Sequence, residues 1–326
     1  MHYRCQNCGG NVVYDPEKKK MICESCRSEE SQVIIPQKAL HVCGSCGAVI
    51  EAGDHTFSTR CPYCQTYLIF EDRLEERKPD LVLPFELSRQ AAGDLLKKAY
   101  QDQMFLPKNF CSASSIEAME GIYVPYFMVD LKSRTHFEGE GDVVRVWTSG
   151  NYEYTETSIF KVRREFEVDY SKMPVDAASS MDDQQMDLLE PYNYEELKDF
   201  DTGYLSGFFS DTYDEDEEAV LPRAKEKAEK YSGEFLHSMT TEYQVLRPFT
   251  DQTDHQVNGI HYAFLPVWKY IYRFRNHNYE FYVNGQTGKV TGEPPVDWTR
   301  GLVGTGVLGV SVFLLLQFFF YFLGVL

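Results

Sequence analysis

The sequence predicts a three-part fold: two small β-hairpin modules, an α+β body with an antiparallel sheet, and one C-terminal transmembrane helix. Three observations predict it. Eight of the nine cysteines fall into four Cys-x2-Cys pairs within the first 64 residues. The middle of the chain holds two amphipathic stretches, each followed by aromatic, β-branched segments. The last 26 residues, Gly301 to Leu326, carry no charge and are dominated by Leu, Val and Phe.

The cysteines come first because their spacing repeats. Cys5/Cys8 is followed after 14 residues by Cys23/Cys26, and Cys43/Cys46 after 14 residues by Cys61/Cys64. A Cys-x2-Cys turn presents two thiolates, and two such turns close a tetrahedral zinc site, so the expectation is two Zn2+ in two ribbons, residues 1–36 and 37–70. Four thiolates leave no open coordination position, which points to a structural metal and to no enzyme activity. Gly9 and Gly47 follow the first pair of each copy, where a knuckle needs positive φ. Val12 to Tyr14, Met21-Ile22, Val49-Ile50 and Thr56-Phe57 read as the ribbon strands. A disulfide framework would need an oxidising compartment. Pairing Cys23/Cys26 with Cys43/Cys46 is the other grouping, across 16 residues; the 38-residue repeat favours the first.

Net charge is −18, and its location carries the information. From Glu165 to Glu218 there are 18 acidic residues against two basic ones, Lys172 and Lys198, a net of −16. Residues 1–70 carry seven of each sign. A neutral ribbon pair beside an acidic body lacks the phosphate-neutralising term of nucleic-acid binders, which argues against that class. The acidic segment, 165–220, also holds Tyr192, Tyr194, Leu197, Phe200, Tyr204, Leu205, Phe208, Phe209 and Tyr213, too many apolar groups for a solvated tail. Asp214 to Glu218 alone reads as a solvated run.

The uncharged run is long enough to cross a bilayer, and Trp298 and Arg300 suit its interface. Residues 298–326 are therefore expected to anchor the chain as a single-pass protein of the cell membrane. Thiolate sites need reducing conditions and no signal peptide opens the chain, so the N-terminal domains are expected in the cytoplasm. Gly301, Thr305 and Gly309 make a small-xxx-small face through which two anchors could form a homo-oligomer.

Between a charged linker, 71–84, and the anchor lies the body, 85–297. Ser88 is placed to cap a helix with Ala91, Leu95 and Ala99 on its apolar face, widened by Leu96 and Tyr100. Ile122 to Val129 is a strand; Val143 to Trp147 and Tyr152 to Asp169 continue around a Ser149-Gly150-Asn151 turn. Pro222 is placed at the first position of a second helix with Ala224, Ala228, Tyr231 and Phe235 on one face. Strands then begin at Tyr262 and turn at Asn276-His277-Asn278 and Asn284-Gly285. Pro125 and Pro266 occupy corresponding places, which suggests two related halves around the acidic segment.

Tests for chemistry fail. Gly285 to Val290 lacks the spacing of a phosphate loop and the hydroxyl after its Lys. Asp182/Asp183 have no partner base, and the eight histidines form no metal motif; His41 and His55 are expected at the surface of the second ribbon. Cys111 has no activating base in view.

The phrase Asn284 to Val290 before Pro294-Pro295, with Tyr123 to Tyr126, Asn151 to Thr157, Met173 to Asp176, Ser180 to Asp183 and Leu265 to Trp268, gives the chain a resemblance. It resembles the bacterial membrane proteins described as TFIIB-type zinc-ribbon proteins, a family often mislabelled as primosomal helicase. The resemblance implies no catalytic activity and, by analogy, the anchoring of phage-shock-type envelope-stress proteins at the membrane. The expectation is a membrane-anchored zinc-ribbon adaptor that recruits protein partners beside the lipid bilayer; a membrane-tethered nucleic-acid binder is the alternative.

Overall fold

The computed structural model describes residues 1–29, 32–35, 42–53, 55–103, 105–107, 109–110, 112, 116–298 and 310–319. Its strands are β1 (His2–Cys5), β2 (Val12–Asp15), β3 (Lys20–Cys23), β4 (Gln32–Ile35), β5 (Thr56–Arg60), β6 (Tyr67–Ile69), β7 (Leu81–Val82), β8 (Glu120–Ser149), β9 (Tyr152–Asp176), β10 (Lys198–Asp199), β11 (Phe209–Asp211), β12 (Val245–Phe274), β13 (His277–Asn284) and β14 (Val290–Gly292). Helices are α1 (Glu71–Glu76), α2 (Arg89–Tyr100), α3 (Asp183–Leu189) and α4 (Glu217–Ser238), with 3-10 turns at Tyr194–Glu196 and Thr202–Leu205.

This is a mostly β fold built on a mixed sheet, which corrects the expected α+β body with an antiparallel sheet. β8 and β12 each run 30 residues, roughly 100 Å of extended chain. With the 25-residue β9 they form an antiparallel β9–β8–β12 centre. The ten-stranded sheet becomes mixed because β7 pairs with β12, and β11 with β8, in parallel. Strands of two or three residues carry no readable alternation, so these pairings leave no trace in the sequence.

Alternation places the core on both faces of the sheet. Tyr123, Phe127 and Val129 of β8 join one buried cluster with Phe264, Trp268 and Tyr270 of β12. Val124, Tyr126 and Met128 join another with Ala263, Leu265 and Val267. Around the opposed pair Val124 and Leu265 the pairing is two-fold. Tyr123 lies opposite Pro266 and Pro125 opposite Phe264. Phe209 of β11 lies beside Ile122 as Leu81 of β7 lies beside Ala263. Each proline carbonyl accepts one amide at 2.9 Å, Pro125 from Ala177 and Pro266 from Gly285.

The Gly150 turn falls where its chemistry placed it, whereas the turn expected at Asn276-His277-Asn278 lies one residue earlier, at Arg275-Asn276, with His277 and Asn278 paired in β13. Gly150 takes φ +65° between β8 and β9, and Arg275 and Asn276 both take positive φ between β12 and β13. Asn284 accepts from Gly288 N in the turn that precedes β14, so the Gly285 to Val290 phrase is a turn. The helices need correction. Ser88 caps α2 as expected, yet Ala92, Leu96 and Tyr100 are buried, with Ala91 and Leu95 on the margin. α4 begins at Glu217, capped by Asp216, so Pro222 lies inside it; Asp214 to Glu218 is largely solvent-exposed as expected, and its last two residues open the helix. A capping carboxylate and two acids in the first turn suit the positive end of the helix dipole better than a mid-helix Pro does.

The membrane anchor expected over residues 298–326, and with it a single-pass place in a cell membrane, is also corrected. Among the described residues no helix is long and apolar enough to cross a membrane. Residues 310–319 are helical, about 15 Å by helical rise, half of what a bilayer core needs. The small-xxx-small face at Gly301, Thr305 and Gly309 lies outside the described residues, as do Arg300, His41 and Cys111.

Candidate metal centres

Each Cys-x2-Cys pair forms a tight knuckle closed by a backbone hydrogen bond to the carbonyl of its first cysteine. Gly9 N donates to Cys5 O (2.9 Å), Arg27 N to Cys23 O (3.0 Å), Gly47 N to Cys43 O (2.8 Å) and Gln65 N to Cys61 O (3.0 Å). All four donors take positive φ, between 62° and 77°. Glycine signalled two of these positions; Arg27 and Gln65 accept the strained conformation with a side chain attached, and no residue type announced them.

The knuckles meet in the grouping the repeat favoured. Cys5, Cys8, Cys23 and Cys26 form one tetrad and Cys43, Cys46, Cys61 and Cys64 the other, with the ligand atoms of each within 4.8 Å of one another. Cys5 Sγ lies 3.7 Å from Cys26 Sγ, and Cys8 Sγ 3.5 Å from Cys23 Sγ. In the second tetrad the corresponding separations are 3.6 Å for Cys43 and Cys64 and 3.8 Å for Cys46 and Cys61. None of these eight cysteines is in a disulfide. Each tetrad can hold a metal ion. His55 is described but belongs to neither group.

The thiols divide in their acidity. Burial pushes Cys43 up to about 12. Burial also acts upward on Cys64, yet its hydrogen bonding with the Thr66 hydroxyl and amide outweighs it and brings Cys64 down to about 6. The Ser28 backbone amide holds Cys26 below the ordinary thiol range. Each tetrad favours some thiolates and resists a full set of four negative charges, half of which a divalent cation would offset.

Both ribbons are seated on the body, at the acidic segment. In the first, Tyr3 Oη and Thr202 Oγ1 lie 2.7 Å apart, Ser206 Oγ donates to Val12 O (2.6 Å) and Tyr14 N donates to Ser206 O (2.8 Å). Gly207, at φ +106°, brings the chain so close that a Cβ there would stand 3.1 Å from Val13 Cβ. In the second, β5 and β6 belong to the large sheet itself through the pairing of β5 with β11. Buried Ser58 donates to Phe208 O (2.8 Å) and meets Ser210 Oγ at 2.7 Å. Asn11 accepts from Thr66 Oγ1 (3.0 Å), and the Arg4 guanidinium donates to Ser45 Oγ, so the ribbons also hold each other. Sequence reasoning treated the ribbons and the acidic segment as separate parts; Leu205 and Phe208, noted there as apolar, and Ser210 are buried groups of that segment at the ribbon seats.

A protein of Bacillus subtilis (strain 168) described as "Uncharacterized protein YdjG" is 35% identical over 322 residues, which cover 95% of this chain and 94% of its own length. No family model matches the chain, and no solved structure matches it.

Proposed function

Within the family of that B. subtilis protein, to which the chain belongs, we propose that this is a non-catalytic adaptor whose two metals are zinc and whose ribbons present a surface to protein partners. The observation that carries it is the closed, all-sulfur shell of each tetrad. Tetrahedral zinc with Zn–S bonds of about 2.3 Å separates its sulfurs by about 3.8 Å, and the pairs here stand at 3.5 to 3.8 Å. Such a shell folds a module and offers no position to a substrate.

A recognition role draws support from what the seated ribbons leave outside. Tyr63, inside the Cys61–Cys64 knuckle, and Val49, beside the Cys43–Cys46 knuckle, are 73% and 70% exposed. An exposed aromatic and an exposed β-branched side chain offer apolar contacts to another protein, and the evenly balanced ribbon charge suits a protein better than a phosphate backbone. The test has two readings. Elemental analysis of the purified chain should return two zinc per molecule. Affinity capture should recover a partner that Tyr63→Ala with Val49→Ser loses while keeping both metals. Binding to DNA or RNA that weakens steeply with salt, and is insensitive to Tyr63, would instead identify a nucleic-acid binder.

A further inference from the structure

The ends of β8 and β9 form a two-stranded arm. β12 reaches only Asp142, so residues 143–149 and 152–158 run on as a hairpin beyond the third strand. Among the described residues β9 pairs with β8 alone, which leaves its outer edge open. Residues 152–164 contain no proline and no bulge, since the irregularity against β8 falls between Val129 and Leu131. A long, flat, open edge is a template for another strand unless charge or proline blocks it.

The charges here match another copy of the same edge. We propose that two copies of this chain pair antiparallel along β9 over residues 152–164, Ser158 against Ser158, and join their sheets into one. The argument begins at the turn. In a two-residue hairpin loop the flanking residues, Ser149 and Tyr152, exchange their hydrogen bonds, so Glu153, Thr155, Thr157, Ile159, Lys161 and Arg163 aim theirs outward. A strand edge meets its own copy only across a two-fold axis perpendicular to the sheet, which places residues of equal parity opposite each other. With Ser158 on that axis, Glu153 meets Arg163, Thr155 meets Lys161 and Tyr152 meets Arg164. Moving the axis to Ile159 sets Glu153 against Glu165, a like-charge pair, so the acid and base positions disfavour that register.

Apolar surface argues for the same occupant. Tyr152 at the arm's tip is 72% exposed and Phe235 of α4 is 46% exposed. Phe235 rests edge-on against Phe166 of β9, with ring centroids 5.0 Å apart. In the paired arrangement Tyr152 of the second copy lies diagonal to Phe166, within reach of the rim that Phe235 forms. Arg163 stands 3.4 Å from Glu138 and 4.0 Å from Glu165 in one chain, exposed, with room for a further carboxylate.

Sedimentation velocity on the full-length, metal-loaded chain tests the pairing. The wild-type chain should self-associate to a dimer, Glu153→Arg and Arg163→Glu should each weaken it about tenfold, and the double charge exchange should restore it. Ser158→Cys in a Cys111→Ser background should be cross-linked to a homodimer by a short bismaleimide, and Thr148→Cys on β8 should not. A monomer at about 100 µM, a double exchange no stronger than the single variants, or a Ser158→Cys chain that resists cross-linking overturns the proposal.

Discussion

At the scale of single residues, the cysteines of the two tetrads differ in what their loss exposes. Cys61 and Cys23 are fully buried, whereas Cys8, Cys26 and Cys46 stand at the surface of their knuckles. Cys61→Ser removes a thiolate next to Leu68 and Ile50 and leaves three ligands around a divalent ion. Structural zinc contributes folding free energy of order 10 kcal/mol. The variant should therefore carry one metal instead of two and lose the second ribbon's share of β signal; elemental analysis and far-UV circular dichroism check both. Retention of two metals with an unchanged spectrum would contradict the assignment of Cys61 as a ligand.

Among the elements, α4 is tied to the end of β9 and to α3 by two partly buried ion pairs. Arg223 donates to Asp176 Oδ1 at 2.6 Å, and Lys227 reaches Glu190 at 2.7 Å and Asp187 at 2.9 Å. Burial pushes Asp176 up to about 6 against the pull of Arg223, and Glu190 up to about 7 against the pull of Lys227. Lys289 also donates to the Glu190 carbonyl, and Asp183 and Glu215 face Arg223 from the other side. Both carboxyls bind their proton more tightly folded than unfolded. Their contribution to stability is full below the unfolded values of 3.8 and 4.5, and it is lost as pH rises through about 6 and about 7. Denaturant unfolding should show wild type losing about 2 kcal/mol relative to Glu190→Gln between pH 5 and pH 8. Parallel pH profiles for the two chains would remove Glu190 as the source.

For the whole molecule, the second cysteine tetrad's ribbon and the sheet share packed aromatic contacts. Phe57 of the second ribbon packs edge-on against Phe264 of β12 at 5.9 Å, and Phe208, beside the ribbon seat, stacks on Phe85 at 4.1 Å. Chelation of both metals should therefore lower the melting temperature of the entire chain. Hydrogen exchange after chelation should accelerate in β11 and in the Ile122 to Val129 part of β8, beyond the ribbons themselves. Exchange confined to residues 1–70 would show that ribbons and body are energetically separate.

The sequence alone determined the metal groups, because ligand chemistry and a 38-residue repeat are local and periodic. It also located the Gly150 and Asn276 turns, where backbone conformation restricts the residue type. It reached the Ser88 cap but missed the α2 face by one residue, since Ala91 and Ala92 are alike in hydropathy and only the neighbouring sheet chooses between them. At 165–220 it recognised too many apolar residues for a solvated tail, but not that Leu205, Phe208 and Ser210 turn inward at the ribbon seats or that Asp176 is buried against Arg223. The mixed sheet, the ribbon seats and the open β9 edge belong to the tertiary structure alone. Each depends on contacts between residues far apart in the chain, such as Ser58 with Ser210, that no local pattern encodes.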